Sequence, residues 1–165
     1  MNPILIGNAV SMIGCLVMVG IGFLKKKSHI LAAQSVQCAF MGGGNLILGA
    51  WGGFTANVVS IIRNLVFAKY SITLWLKLLF IGLQLVLSVS TLDGSLIAWF
   101  PILAAAIFTW YLDTKSEVTL KLVIIGTLVM WLVYDLYHYN YVSAAFDTAT
   151  ILSNSIGLWM LKKHA

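Results

Sequence analysis

The chain reads as seven apolar runs separated by short polar breaks. The runs cover residues 2–24, 29–50, 51–68, 71–90, 95–112, 117–136 and 141–161. Each lies close to the roughly 20 residues that a helix needs to cross a hydrocarbon core about 30 Å thick. The second and third runs abut. The stretch GAWGGF, with Gly49, Gly52 and Gly53, supplies the turn that divides them. The pattern predicts an all-α chain of seven transmembrane helices.

Composition fixes the solvent. Of 165 residues, 61% are hydrophobic and 9% charged, and the mean hydropathy is +0.97. A soluble domain carries about 25% charged residues, so this chain has too little polar surface to coat a water-soluble core. The net charge of +5 is not a nucleic-acid patch, because the lysines are dispersed between apolar runs. With the N-terminus outside, the cytoplasmic segments hold Lys25, Lys26, Lys27, Lys69, Lys115, Lys162 and Lys163. Lys77 and Lys121 lie a turn or two inside helices entered from the same side, within snorkelling reach. The external segments hold Asp93 and neither Lys nor Arg, so the positive-inside rule is met with the C-terminus inside. In MNPILIGNAV the lysines follow the apolar run, the polarity of a span entering from outside rather than of a cleaved signal peptide. Trp51, Trp75, Trp99, Trp110 and Trp159 fall near run ends, as an interfacial belt requires.

Seven helices can divide as three, one and three. Shifted by 90 residues, the chain brings Lys25 onto Lys115, Asn45 onto Asp135, Asn57 onto Asp147, Ser60 onto Thr150 and Asn64 onto Asn154. Polar residues are the rare class here, so their coincidence carries more weight than apolar matches. The predicted organisation is a three-helix bundle at 1–70, a linker helix at 71–90 and a second, parallel bundle at 91–165. Parallel repeats of this kind are a transporter plan, with the solute site at their interface.

The segment ANVVSIIRN and its partner FDTATILSN place polar groups at i, i+3 and i+7, along one helix face. An Asp near a helix centre costs roughly 2.5–3.5 kcal/mol on insertion scales, so it persists where it meets water, a partner or a solute. Asn57, Asn64, Asp147 and Asn154 are expected to line a polar cavity between the bundles. The competing expectation is interhelical hydrogen bonding that holds the bundle together. Arg63, the one arginine, is read as a contact for an anionic group, as a residue snorkelling to the inner surface, or as a partner of Asp147. Trp131 and Asp135 share a face with His138 in the aromatic segment WLVYDLYHYNY, a surface on which ring-shaped solutes stack. Asn45, Gln34, Gln37, Asn8 and Ser11 extend the polar set. The glycines of MGGGN permit close helix approach. Cys15 and Cys38, without metal spacing, are expected as small buried hydrophobes. No metal-ligand spacing, nucleophile elbow or phosphate loop is present, so neither catalysis nor a cofactor is expected.

The runs QSV and NLILGAW, the NVVSIIRNL segment, and Trp131, Asp135 and Asp147 at their spacing resemble the YgjV-type family of bacterial inner-membrane proteins along nearly the whole chain. The resemblance implies a multi-pass helical protein of the inner membrane. The three-one-three plan is also similar to the SWEET and PQ-loop transporters and to PnuC-type vitamin transporters. In SWEETs, asparagines of the third and seventh helices flank the sugar, and Asn57/Asp147 and Asn64/Asn154 occupy comparable places. This chain lacks a Pro-Gln pair and has two prolines, Pro3 and Pro101, where SWEET hinges use four. The expected function is movement of a small polar solute, sugar-, nucleoside- or vitamin-like, by alternating access. The alternative is a non-transporting multi-pass protein, receptor-like or an assembly factor. The bilayer and the solute are the expected partners, and a homo-oligomeric state stays open.

Overall fold

The computed structural model describes residues 2–21, 26–92 and 94–163, with side chains for all of these except Lys27 and 161–163. Lys25 and Asp93 therefore lie outside the described residues, as do the side chains of Lys27, Lys162 and Lys163. The described residues form α1 (Pro3–Ile21), α2 (Lys27–Ile47), α3 (Trp51–Lys69), α4 (Leu74–Val89), α5 (Phe100–Tyr111), α6 (Glu117–Tyr137) and α7 (Tyr141–Lys163), with a 3-10 turn at Ile97–Trp99 and no strand.

Two helices start later than the apolar pattern predicts, for local reasons. The fourth run begins at 71, but Thr73 is extended and its hydroxyl accepts from the Leu76 amide at 3.4 Å, capping α4 at Leu74. The fifth begins at 95, but Pro101 lacks an N–H and fits only the first turn of an α-helix. The residues before it close as a 3-10 turn instead, with the Ser95 hydroxyl accepting from the Ala98 amide at 3.2 Å. By length and composition, α1 and α6 qualify as membrane spans, with mean hydropathies of 2.3 and 1.8. The apolar stretches Leu74–Val89 and Ile97–Tyr111 are shorter. Helices α2, α3 and α7 are long but carry the polar residues.

The distribution of side chains is inverted relative to a water-soluble domain. Large apolar residues face outward, with Leu5 70%, Trp75 81%, Val86 71% and Trp159 65% exposed. Asn45, Asn64, Gln84, Asp135, Asn140 and Ser143 are each at most 2% exposed. Apolar cover this extensive exceeds the patches soluble monomers tolerate.

Helix neighbours close a ring. α1 packs on α2, α2 on α3, α3 on α5, α5 on α6, α6 on α7, and α7 returns to α1. α4 stands outside it against α3 and α5, where Phe80 meets Phe67 edge-on at 5.5 Å between centroids.

One helix pair and its end turns agree at the 90-residue offset. α6 starts and ends 90 residues after α2 (117 less 27, 137 less 47). Both helices end in the same Schellman geometry. After α2, the Ala50 amide donates to Asn45 O at 2.8 Å and Gly49 to Leu46 O at 3.1 Å. After α6, Asn140 donates to Asp135 O at 2.8 Å and Tyr139 to Leu136 O at 3.3 Å. The left-handed position of each motif is occupied by Gly49 (φ 73°) and by Tyr139 (φ 61°). A side chain in that conformation costs roughly 1–2 kcal/mol. Gly49→Ala is therefore expected to destabilise by about 1 kcal/mol, while Tyr139→Gly is neutral or stabilising. Thermal unfolding of the two variants in detergent reads the contrast, and equal losses would rule out a shared left-handed turn.

Candidate functional site

The ring holds a partly open cavity of about 290 Å³ lined by residues of α1, α2, α3, α5, α6 and α7 and by none of α4. That size sits at the lower end of small-molecule sites. Its lining runs from Asn45 and Asp135, beneath the two Schellman turns, to Ile21 and Gln34 toward the opposite ends of α1 and α2.

Of the residues expected from sequence, Asn45, Asn57, Arg63, Asn64, Trp131, Asp135 and Asp147 line this cavity. Asn154 does not; its amide donates to the Thr150 carbonyl of its own helix at 2.9 Å. Gln34, Gln37, Cys15 and Cys38 also line it; Cys15 is fully buried, as expected of a small hydrophobe, and Cys38 is partly exposed. His138 lies away from it and stacks on Tyr134 at 4.2 Å.

Arg63 takes none of the roles that would have hidden its charge. It is 5% exposed, too buried to have snorkelled to an aqueous surface. Its Nη1 donates to Thr109 Oγ1 at 2.8 Å, and its Nε and Nη2 donate to Asn64 Oδ1 at 3.2 and 3.0 Å. The guanidinium lies over the Phe108 ring at 5.4 Å. Asp147 is not its partner: among the described residues the ion pair formed is Lys77 with Asp113.

The carboxylates stand apart from that cation. Asp135 is 2% and Asp147 6% exposed. Asp135 Oδ1 and Asp147 Oδ2 are buried with no hydrogen-bond partner. Asn57 donates only to the Gly53 carbonyl of its own helix, at 2.8 Å. The cavity therefore offers a hydrogen-bonded cation without a counterion on α3, and carboxylate oxygens without donors on α6 and α7.

Beneath the turns the halves are joined by bonds the sequence did not reveal. Asn8 spans α1 to the α6–α7 turn, donating to Tyr139 O at 2.8 Å and accepting from the Val142 amide at 2.9 Å. Asn45 Oδ1 accepts from Asn140 Nδ2 at 3.1 Å. The Gly53 amide donates to Tyr134 Oη at 2.8 Å, an approach that a Cβ at Gly53 would block, since it would fall 2.8 Å from Tyr134 Cε1. Asn140, Tyr134 and Thr109 sit near run ends where aromatic or capping roles mask them. The 90-residue register pairs Asn140 with Ala50, so the polar matches gave it no signal.

The family model Imp-YgjV, bacterial inner membrane protein, matches residues 5–165. The chain belongs to this family. Its members are proteins of the bacterial inner membrane, in keeping with the outward-facing apolar surface and two helices of spanning length in this YgjV-family chain. No curated protein and no solved structure gives a significant match.

The Arg63 contacts make a prediction. Thr109→Val removes one hydroxyl from a buried charge and is expected to cost about 1.5–3 kcal/mol. Thr148→Val removes an exposed hydroxyl that bonds its own helix at 2.8 Å and is expected to change stability little. Unfolding of both variants in detergent separates a charge-bearing hydrogen bond from a local one.

Proposed function

We propose that the chain is a seven-span membrane facilitator that moves a small polar solute through its central cavity by alternating access. In this reading α1–α3 and α5–α7 are two parallel bundles, α4 is the linker that restores direction between them, and the N-terminus is outside. The protein does no covalent chemistry, and its role needs no nucleotide or metal.

One observation carries the reading: a cavity shared by six helices of the two halves holds buried charged groups that the protein does not pair with one another. Groups of this kind are costly in a membrane and mark solute or ion paths. Support for the orientation comes from Lys26, Lys69 and Lys115, all exposed and all in or beside connections α1–α2, α3–α4 and α5–α6. The repeated turns support two copies of one unit, as in transporters built from parallel repeats. A SWEET-like set of proline hinges is not part of the proposal.

The second reading, a non-transporting bundle held by polar contacts, draws on the bonds of Asn8, Asn45 and Tyr134 at one end. It does not account for Asp147, whose Oδ2 has no donor.

Cysteine accessibility decides between them. In a background lacking Cys15 and Cys38, a cysteine at Asp147 is expected to react with a membrane-impermeant thiol reagent, and one at lipid-facing Leu152, 60% exposed, is not. Equal protection of both positions would reject the transport reading.

A further inference from the structure

The chemistry of the cavity walls narrows the solute class, resting on the transport reading. Three ionisable side chains line one small space. Arg63 stands on α3, about two helical turns beyond Asn57, which is roughly 9 Å of rise. Asp135 and Asp147 stand on α6 and α7, in the half related by the 90-residue repeat. All three are at least nine-tenths buried. Arg63 has hydroxyl and amide acceptors but no carboxylate, and each Asp has an oxygen with no donor.

Each simple solute class leaves part of this set unsatisfied. A neutral sugar or nucleoside would supply hydrogen bonds but no countercharge to groups already removed from water. An anion would suit Arg63 and bring like charge toward two carboxylates. A cation would suit the carboxylates and face the guanidinium. Removing one partner of a buried charge pair is strongly unfavourable, so a solute that completes both ends at once is the one the walls select. The lining also includes the apolar and aromatic side chains of Phe108, Trp131, Phe146 and Met41. A solute with a hydrocarbon or ring body between or beside its charges fits that lining. The volume of about 290 Å³ restricts it to a single small metabolite.

We propose that the cavity binds a small zwitterion of the free amino acid class, with its ammonium group on Asp147 and Asp135 and its carboxylate on Arg63. Asn57 and Asn64 are the neutral groups beside those contacts on α3. The apolar walls take the solute side chain.

The test uses the whole purified protein in detergent and in proteoliposomes. Probes are L-leucine, L-phenylalanine and 4-aminobutyrate, set against D-glucose, uridine, succinate and putrescine. The expected result is a rise in melting temperature, and uptake into proteoliposomes, for at least one of the three zwitterions and for none of the four others. Leucinamide and N-acetyl-L-leucine, each with one charge removed, are expected to lose about ten- to hundredfold in apparent affinity on the unaltered protein. Asp147→Asn and Arg63→Gln are expected to weaken binding by a similar factor, and the one-charge ligands keep the test valid if either variant fails to fold. Uptake of glucose or uridine with no response to a zwitterion would overturn the amino acid assignment and leave the transport reading standing. No response to any probe also overturns the assignment. Protection of a cysteine at 147 from the impermeant reagent would remove the transport reading as well.

Discussion

A hydrocarbon exterior leaves a polar side chain no direction but inward, and most of this architecture follows from that. In lipid each backbone amide and carbonyl must find its partner within the protein. The connections between α2 and α3 and between α6 and α7 meet the demand with Schellman turns that return the orphan carbonyls of each helix end. The side chains obey the same rule. Leucine, valine and tryptophan cover the outside, while Asn45, Asn64, Asp135 and Asn140 are withdrawn from it. Helix α4, with Gln84 and Ser88 buried against α3 and much of the rest exposed, seals one side of the ring without entering the cavity.

Within that scaffold the two halves have diverged where chemistry is concentrated. Gly49 answers to Tyr139, Asn57 to Asp147 and Asn45 to Asp135. Arg63 answers to Ser153, which is exposed rather than buried. Across the register the bounds and end turns of α2 and α6 agree, while the electrostatics do not: the cation lies on α3 and the cavity carboxylates on α6 and α7. Two identical halves could not produce a cavity with opposite charges on opposite walls.

Much of this was legible in the chain. Seven helices and the 90-residue register followed from apolar run length and from the rarity of polar residues. Asn57, Arg63, Asn64, Trp131, Asp135 and Asp147 share one cavity because helical spacing put each group on an inward face. Asn154 fits the same spacing yet falls outside the cavity, since the register fixes a position on its helix but not how far along the ring the cavity extends. The start of α5 was hidden because hydropathy reads Pro101 and its neighbours as one apolar run, whereas the backbone chemistry of proline divides them. The pairing of Arg63 was equally hidden. The sequence left anion contact, snorkelling and pairing with Asp147 open for Arg63, whereas Thr109 and Asn64 take the guanidinium.

The distribution of hydrogen bonds separates two tasks that composition alone runs together. Beneath the turns, Asn8, Asn45 and Tyr134 make contacts that cross from one half to the other, and both ends of those contacts are satisfied. Deeper in, Asn57 bonds its own helix and Asp147 Oδ2 has no donor, as Asp135 Oδ1 has none beneath its turn. If cohesion were the sole reason for the polar residues, Asn57 and Asp147 would be bonded across the interface as Asn8, Asn45 and Arg63 are. Cohesion is therefore denser at one end, with the Arg63–Thr109 bond between α3 and α5 as a further tie deeper in. Movement that opens that end must break the bonds of Asn8 to Tyr139 and Val142 and of Asn45 to Asn140, whereas farther in Asp147 Oδ2 has no bond to lose and the Arg63–Thr109 bond breaks only where α3 parts from α5.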